Sequence, residues 1–190
     1  MYLRRKRFTN LSNVSILVSS GDLTSSIARN ANKFAFHLKS SGKFSKIFFN
    51  GWLSRHDMEK NLEKLHDALG ISSYVIIFAS QFAKTSYEKF ISQGENAPWK
   101  DEFVVGVSRV LRTYKSLLLN DQLVLGNRKV FVLYSSFQSA SDSDVLHDDF
   151  IQKSDGCYDI SKKEEEEKFY CEFLELHGKT FNFRPEVNQV

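Results

Sequence analysis

Glu102 is the residue whose type and position best suit acid–base chemistry. It follows Trp99, Lys100 and Asp101 at the predicted start of a helix, beyond a strongly apolar strand. A glutamate beside an aromatic ring can act as a catalytic carboxylate when its surroundings adjust its pKa. The competing interpretation, which we favour, is structural. An acidic side chain in the first turn of a helix interacts favourably with the helix dipole, here beside a packed indole ring.

The turn Ser19-Ser20-Gly21-Asp22 is the place where a phosphate group or a flavin would bind. It joins the first predicted strand to the first predicted helix, and backbone N–H groups at such a helix start bind anions in doubly wound folds. The sequence contains neither a G-x-G-x-x-G nor a Walker motif, and Asp22 would repel an anion. We therefore favour an ordinary capped helix start over an FMN site.

The histidines and cysteines form no recognisable metal or nucleophile motif. No pair among the five histidines has metal-ligand spacing together with a third ligand. His147 beside Asp148 and Asp149 can attract a cation, but a solvated acidic loop is the favoured interpretation. Cys171 lies near the apolar face of the last predicted helix, where a packed thiol is usual, and Cys157 has no local sign of activation. We expect no metal and no cofactor.

Alternating strands and helices position these residues. The clearest strand is Tyr74–Ser80, whose unbroken apolar middle is typical of a strand covered on both faces in a parallel sheet. The other predicted strands are Val14–Ser19, Lys46–Phe49 and Val130–Tyr134. The order β-α-β-α-β-α-α-β-loop-α indicates an α/β fold with right-handed crossovers, helices on both faces of a parallel sheet, and flavodoxin-like strand order.

Local signals predict where the helices begin and end. Ser54 is expected to cap the second helix, Asp101 a long later helix, and the capping box Ser161–Glu164 the last helix. Gly42 is placed to end the first helix. The segment Gln138–Asp149 is rich in Ser and Asp, which is typical of an exposed loop.

Charge and composition restrict the kinds of partner. The chain has 26 Lys and Arg against 23 Asp and Glu, and the cluster Arg4–Arg7 accounts for the whole positive excess. The remaining surface therefore does not predict nucleic-acid binding. The presence of only two cysteines favours a reducing, intracellular setting. The longest apolar run, Tyr74–Ala79, is too short to cross a membrane.

The chain is expected to consist of a leader, one domain and a tail. Residues 1–12 form a basic leader, residues 13–179 the α/β domain and residues 180–190 the tail. A basic cluster such as Arg4–Arg7 is typical of a segment just inside a membrane, because positive charge is retained on the cytoplasmic side. A solvated tail is the alternative, and the sequence leaves both open.

Five stretches occur in an order that one family of signalling domains shares. They are Val14–Ser20, Asn50–Trp52, Tyr74–Ser80, Asp101–Gly106 and Arg128–Tyr134. Together they resemble the SEFIR domain, the cytoplasmic module of interleukin-17 receptors and their adaptor and a relative of the TIR domain. The resemblance extends over about Val14 to Gly178. The first strand departs from the common Tyr-Ser-x-Asp form, which leaves a more distant TIR-like relative open.

The resemblance implies a TIR-like three-layer sandwich and a function in assembly. SEFIR domains pair with other SEFIR domains after a receptor is engaged, so the expected partner is an adaptor or co-receptor of this family, with a homodimer also possible. Arg4–Arg7 then falls where the juxtamembrane segment of a single-pass receptor would be, on the cytoplasmic side of the plasma membrane. A cytosolic adaptor is the alternative.

The resemblance also implies two contact surfaces, the loop after the second strand and the helical region after the third. Aromatic side chains mixed with charge suit the core and rim of an interface. The expected partner-binding residues are Trp52, Arg55, His56, Lys84, Tyr87, Lys89, Trp99 and Lys100. Phe90, in the same region, is expected in the core.

Two other functions stay open. Some TIR relatives cleave NAD with a glutamate placed after the third strand, and Glu102 occupies a comparable place. Animal SEFIR domains are not expected to do this. The third interpretation is a flavodoxin-like FMN protein with its phosphate at Ser19–Asp22.

Overall fold

Five parallel strands form the central sheet of the protein. The structure, a computed structural model, describes residues 12–22, 25–54, 56–93, 101–119, 128–136 and 145–175. The strands are β1 Asn13–Val18, β2 Lys46–Phe49, β3 Tyr74–Phe78, β4 Lys129–Tyr134 and β5 Gly156–Asp159. The helices are α1 Ser26–Ser41, α2 Met58–Ile71, α3 Gln81–Gln93, α4 Glu102–Leu119, α5 Asp148–Gln152 and α6 Lys163–Glu175.

The ends of the chain are not described. Arg4–Arg7 and the tail expected at residues 180–190 both lie outside the described residues. Within the described part, every helix is too short or too polar to span a lipid bilayer.

The strand order is β2-β1-β3-β4-β5, and every neighbouring pair is parallel. β1 lies between β2 and β3, with Val14 opposite Ile47 on one side and Tyr74 on the other. This is the flavodoxin-like order, and it confirms the predicted α/β fold. The chain reverses its direction of winding between β1 and β3, so the carboxyl ends of these strands form the switch point of the sheet, where ligands of such folds commonly bind.

The sheet separates two hydrophobic cores, because successive strand residues point to opposite faces. On one face, Ile16 packs with Phe34 of α1 and Phe173 of α6. On the other face, Leu17 packs with Leu65 of α2 and Val107 of α4, together with side chains of α3. The result is a three-layer sandwich in which α1 and α6 cover one face and α2, α3 and α4 cover the other.

Of the first three predicted helix boundaries, two are confirmed and one is wrong. Gly42 follows α1 in the left-handed conformation, with φ of 63°, and Asp101 accepts a hydrogen bond from the first turn of α4. Ser54 does not cap α2. Asp57 does so, accepting the N–H of Lys60 at 3.0 Å, because it stands three residues before that donor, as an N-cap must.

The segment Gln138–Asp149, after β4, was predicted to be an exposed loop, and its described part is not one. Residues 137–144 lie outside the described residues, but Val145 and Leu146 are buried and Asp148 begins α5. β5 was not predicted. Its sequence, Gly-Cys-Tyr-Asp, has one strand-favouring residue, Tyr158, between residues such as Gly156 and Asp159 that strands disfavour, so strand propensity gave little signal. The free edge of β4 supplies the pairing instead.

The predicted capping box at Ser161–Glu164 is wrong. The hydroxyl of Ser161 donates to the carboxylate of Asp159, and Glu165 accepts the N–H of Asp159 at 2.7 Å. Asp159 is 0% exposed, and a buried carboxylate requires donors. It therefore draws the Ser161 hydroxyl away from the helix start, and α6 begins at Lys163.

Candidate functional site

The switch point brings two buried polar side chains together. The Oγ atom of Ser80 accepts the N–H of Ala83 at 2.9 Å and so caps α3, while its hydroxyl donates to the carboxylate of Asp22. Ser80 and Asp22 are both buried. Burial raises the pKa of Asp22; the Ser80 hydrogen bond opposes this effect and nearby Asp101 adds to it. The first turn of α3 is thereby fixed against the turn that follows β1.

The outer face of α3 carries an exposed aromatic ring and two lysines. Phe82 is 51% exposed, and its ring lies so close to Gly21 that an added Cβ there would be 1.9 Å from it. Lys84 lies 3.8 Å from Glu88, one turn further along, and Lys89 is exposed. We call Phe82, Lys84, Glu88 and Lys89 the α3 surface. Sequence reasoning identified the two lysines and missed Phe82, whose partner Gly21 is distant in the sequence.

Tyr87, expected at the partner interface, instead packs in the core. Its side chain is 3% exposed, its hydroxyl donates to Asp149 at 3.1 Å, and its ring meets His147 edge-on at 5.0 Å. Burial and the Asp149 carboxylate raise the pKa of the Tyr87 hydroxyl. Tyr87 is therefore not at the surface where a partner could touch it, because α3 packs this side of the helix against Phe150 of α5. Phe90 packs against the same core, as predicted.

Trp52 lies on the opposite side of the sheet from the α3 surface. Its indole N–H donates to Oδ1 of Asn32 at 2.8 Å, and its ring lies 5.1 Å from that of Phe36. The ammonium of Lys39 sits 5.3 Å above the indole. Since α1 and α3 cover different faces, Trp52 does not form one patch with the lysines of α3. Phe36 is another residue that sequence reasoning missed.

The remaining residues of the expected interface are separated or undescribed. His56 is exposed before α2, and its N–H points to Oγ of Ser54 at 3.4 Å. Arg55, Trp99 and Lys100 lie outside the described residues.

Glu102 is held by a buried amide. Nδ2 of Asn61 donates to Oε1 of Glu102 at 2.8 Å and to the carbonyl of Ser54 at 2.6 Å. Asn61 is 2% exposed. The amide therefore joins the start of α4 to α2 and to Ser54 in the turn before α2. The Glu102 carboxylate thus stabilises the packing of these elements.

The turn after β1 does not present an open cradle for an anion. Ser20–Asp22 form a short 3-10 turn in which the N–H of Asp22 donates to the carbonyl of Ser19 at 3.0 Å. The Phe82 ring covers Gly21, and an anion would meet the Asp22 carboxylate. Helix α1 begins later and is capped by Ser25, which accepts the N–H of Ala28 at 3.3 Å. This geometry agrees with a capped helix start.

His147 and its two acidic neighbours stabilise a helix end. Nδ1 of His147 accepts the N–H of Asp149 at 3.0 Å and caps α5. Burial would raise the pKa of Asp149, but hydrogen bonds from Lys153 and Tyr87 outweigh it and lower that pKa. No group of three metal-ligating side chains comes together in the residues that the structure describes.

The two cysteines differ in environment. Burial raises the pKa of the Cys157 thiol, which donates to the carbonyl of Phe150 at 3.6 Å. Cys171 is exposed, so its prediction as a packed thiol is wrong. Phe169 and Phe173 face the core, and Cys171, two residues after the first and two before the second, points away from it.

Comparison with known proteins gives no family. No protein-family model matches the chain, and no curated protein matches it significantly. The strand order and the α3 surface are therefore the observations on which a function can be proposed.

Proposed function

We propose that this chain is an intracellular signalling domain that recruits partners by homotypic SEFIR–SEFIR pairing in interleukin-17-type receptor signalling. The observation that carries the proposal is the α3 surface, which presents an exposed aromatic ring and two lysines on a rigidly capped helix. The SEFIR resemblance of the sequence and the flavodoxin-like strand order support it. The partner is the SEFIR domain of an adaptor or co-receptor.

The α3 surface has the composition of a protein-binding site. An exposed ring that already rests on Gly21 loses little freedom when a partner covers it, and aromatic anchors supply much of the free energy of binding at interfaces. Lys89 follows Phe82 by seven residues and therefore lies on the same side of α3. Its positive charge favours a partner with an acidic surface and speeds the encounter. The hydrogen bond between Ser80 and Asp22 keeps this helix in place.

The proposal also gives the domain a location. As part of a single-pass receptor it acts on the cytoplasmic side of the plasma membrane, with Arg4–Arg7 as the juxtamembrane segment. A cytosolic adaptor is the alternative. Detection of the full-length product in membrane or soluble fractions of cells separates the two.

Charge reversal on α3 tests the proposed surface. The double variant Lys84→Glu, Lys89→Glu should lose at least about tenfold in affinity for the purified SEFIR domain of an interleukin-17 receptor adaptor. Its melting temperature should stay nearly constant, because the Lys84–Glu88 pair, formed by a half-buried lysine and an exposed glutamate, contributes about 0.2–1 kcal/mol at most. Binding is measured by co-precipitation and calorimetry.

A matched control carries the same change of charge elsewhere. Lys163 and Lys168 are exposed on α6, and the double variant Lys163→Glu, Lys168→Glu should pair like the unchanged chain. If the α3 variant pairs as tightly as this control, the α3 surface is not the docking site. If the unchanged chain binds no SEFIR domain, the proposed function fails.

The enzymatic alternative assigns NAD cleavage to Glu102. We favour the docking function because the Glu102 carboxylate is engaged by Asn61 at 2.8 Å. Incubation of the purified chain with NAD should give no nicotinamide release. Turnover that disappears in Glu102→Gln, a variant that still accepts the Asn61 hydrogen bond, would establish an enzyme.

A further inference from the structure

The segment between Asp22 and Asp57 carries charge of one sign only. It contains no Asp or Glu, and its basic residues are Arg29, Lys33, Lys39, Lys43, Lys46 and Arg55. Helix α1 and strand β2 make up most of this segment. The basic side chains exposed on these two elements are Arg29, Lys33, Lys39 and Lys46. The part of the domain around α1 therefore presents positive charge to its surroundings.

Two aromatic side chains lie among these charges on the outer side of α1. Phe36 is 52% exposed and Trp52 is 37% exposed, and their ring centroids are 5.1 Å apart. At about 100° per residue, Phe36 lies about 20° around the helix from Arg29 and about 60° from Lys39. It also lies between these two residues along the helix. We call Arg29, Phe36, Lys39 and Trp52 the α1 surface.

The indole of Trp52 is held in place by its neighbours. Its N–H donates to Oδ1 of Asn32 at 2.8 Å, its ring meets that of Phe49 edge-on at 5.5 Å, and Nζ of Lys39 lies 5.3 Å from the ring centroid. The polar atom of the ring is thus satisfied within the domain, and the rest of the exposed ring offers only carbon. A ring fixed in this way loses little freedom when another surface covers it.

The helix beside α1 on the same face of the sheet does not cancel this charge. Phe34 packs against Phe169 of α6 at 6.0 Å, and it lies about 160° around α1 from Phe36, so α6 lies on the side of α1 away from Phe36. The exposed side of α6 mixes both signs, with Lys163 only 3.7 Å from Glu167. Arg29 and Lys39, in contrast, form no ion pair within the described part of the chain.

Positive charge of one sign beside exposed rings matches an anionic bilayer. Acidic phospholipids spread negative charge over a whole leaflet and attract basic side chains that come within a Debye length of it. Trp and Phe rings favour the boundary between headgroups and acyl chains, where their carbon leaves water. A protein partner usually presents charges of both signs. The α3 surface is built for that case, since Glu88 accompanies Lys84 there, whereas the α1 surface contains no carboxylate.

We propose that the α1 surface binds a membrane that contains anionic phospholipids. Arg29 and Lys39 contact the lipid phosphates, and the rings of Phe36 and Trp52 enter the headgroup region between them. The contact is shallow, because the other side of α1 stays in the core. This inference goes beyond the proposed function. Since α1 and α3 cover opposite faces of the sheet, a domain held in this way turns its α3 surface away from the membrane, where a partner can reach it.

Sedimentation of the purified chain with lipid vesicles tests this contact. The unchanged chain should sediment with vesicles of phosphatidylserine and phosphatidylcholine, but not with vesicles of phosphatidylcholine alone, and added salt should weaken the binding. The double variant Arg29→Glu, Lys39→Glu should bind at least about tenfold more weakly. The milder variant Arg29→Gln, Lys39→Gln should show a smaller loss. Circular dichroism should confirm that both variants are folded. An unchanged chain that ignores the phosphatidylserine vesicles overturns the proposal.

A matched control and an uncharged substitution separate this surface from net charge. Lys163→Glu, Lys168→Glu makes the same change of charge on exposed positions of α6, and it should bind the vesicles like the unchanged chain. Phe36→Ala keeps every charge but should weaken binding by at least about threefold, because half of a phenylalanine side chain no longer leaves water. If Arg29→Glu, Lys39→Glu binds as tightly as the α6 control, the α1 surface is not the membrane contact.

The basic leader is the rival membrane-binding segment of the same chain. The variant Arg4→Gln, Arg5→Gln, Lys6→Gln, Arg7→Gln should still bind the vesicles, and it should still lose at least about tenfold when Arg29→Glu, Lys39→Glu is added. Loss of all binding through the leader substitutions alone would assign the contact to the leader and overturn the proposal.

Two further comparisons separate the membrane from a protein partner. The α3 variant Lys84→Glu, Lys89→Glu should bind vesicles like the unchanged chain, so the failure of SEFIR pairing and the failure of this contact are distinguishable. The variant Arg29→Glu, Lys39→Glu should in turn keep its pairing with the adaptor SEFIR domain. If it loses that pairing and keeps its vesicle binding, the α1 surface belongs to an acidic protein partner and the proposal is overturned.

Discussion

The hydroxyl of Ser80 donates a hydrogen bond to the carboxylate of Asp22, and both side chains are 6% exposed. The contact joins the turn after β1 to the first turn of α3, which are distant in the sequence. It lies at the carboxyl edge of the two central strands. The proposed docking surface therefore rests on a buried polar contact rather than on a mobile loop.

Removal of this contact should destabilise the domain. Ser80→Ala leaves Asp22 without its donor and the N–H of Ala83 without its cap, so we expect a loss of about 1–3 kcal/mol in the free energy of unfolding. Urea titration followed by circular dichroism measures it. Ser92→Ala, at an exposed hydroxyl near the end of α3, should change the free energy by less than about 0.5 kcal/mol. Equal effects would contradict a special role for Ser80.

A methyl group at Gly21 should weaken docking without unfolding the protein. The added Cβ of Gly21→Ala would lie 1.9 Å from the Phe82 ring, and the ring can move because it lies at the surface. We expect weaker pairing with the adaptor SEFIR domain, measured by calorimetry, at a nearly unchanged melting temperature.

The control for Gly21 is Gly70 in α2. An added Cβ there meets no atom within 4 Å, so Gly70→Ala should stabilise the helix by about 0.5–1 kcal/mol. Pairing should be unaffected. If Gly21→Ala pairs as tightly as Gly70→Ala, then Phe82 is not an anchor of the interface.

Asp159 should stabilise the fold above acidic pH. Burial raises its pKa, but hydrogen bonds from the hydroxyl and N–H groups of Ser136 and Ser161 outweigh this and lower the pKa to about 2. The unfolded chain has the ordinary value of 3.8, so the contribution is present above that pH and is lost as pH falls towards about 2.

Asp159→Asn tests this dependence. It should lower the free energy of unfolding by about 1–3 kcal/mol near neutral pH, because an amide satisfies fewer of these donors. The difference from the unchanged chain should shrink as the pH approaches about 2. A pH-independent difference would mean that the carboxylate charge is unimportant. Denaturant midpoints across this pH range give the answer.

Glu166 should have the opposite effect on the pH dependence. Burial, and then the neighbouring Glu167 charge, raise its pKa from 4.5 to about 7. The folded chain therefore keeps a proton that the unfolded chain releases, and stability falls as pH rises from about 4.5 to about 7. Glu166→Gln should remove this slope, whereas Glu164→Gln, at an exposed position, should retain it. Urea midpoints at about pH 5 and about pH 8 distinguish them.

The first four strands of the sheet were predictable because each has a local sequence signal. Tyr74–Phe78 is apolar at every position and buried at every position, and alternation with amphipathic helices leaves few topologies for such strands. The roles of Gly42 at the end of α1 and of Asp101 at the start of α4 were also predictable, since a left-handed cap and a helix N-cap depend on one or two neighbouring residues.

The site was less predictable because exposure depends on distant parts of the chain. Tyr87 is as aromatic as Phe82, yet only the packing of α3 against α5 and the sheet turns one inward and leaves the other outside. Trp52 is 37% exposed, but nothing in its sequence neighbours indicated that its ring would pack against Phe36 of α1. β5 depended on the free edge of β4, which is not a property of its own residues.

The position of β1 has a consequence for biosynthesis. This strand is translated first among the five, and both strands that flank it, β2 and β3, emerge from the ribosome later. Its apolar residues therefore lack a complete set of neighbouring strands until the chain has been synthesised as far as Phe78, the end of β3. Parallel sheets of this kind form slowly and expose adhesive edges while they do so. Overexpression of the domain should accordingly be limited by aggregation of nascent chains more than by the stability of the finished fold.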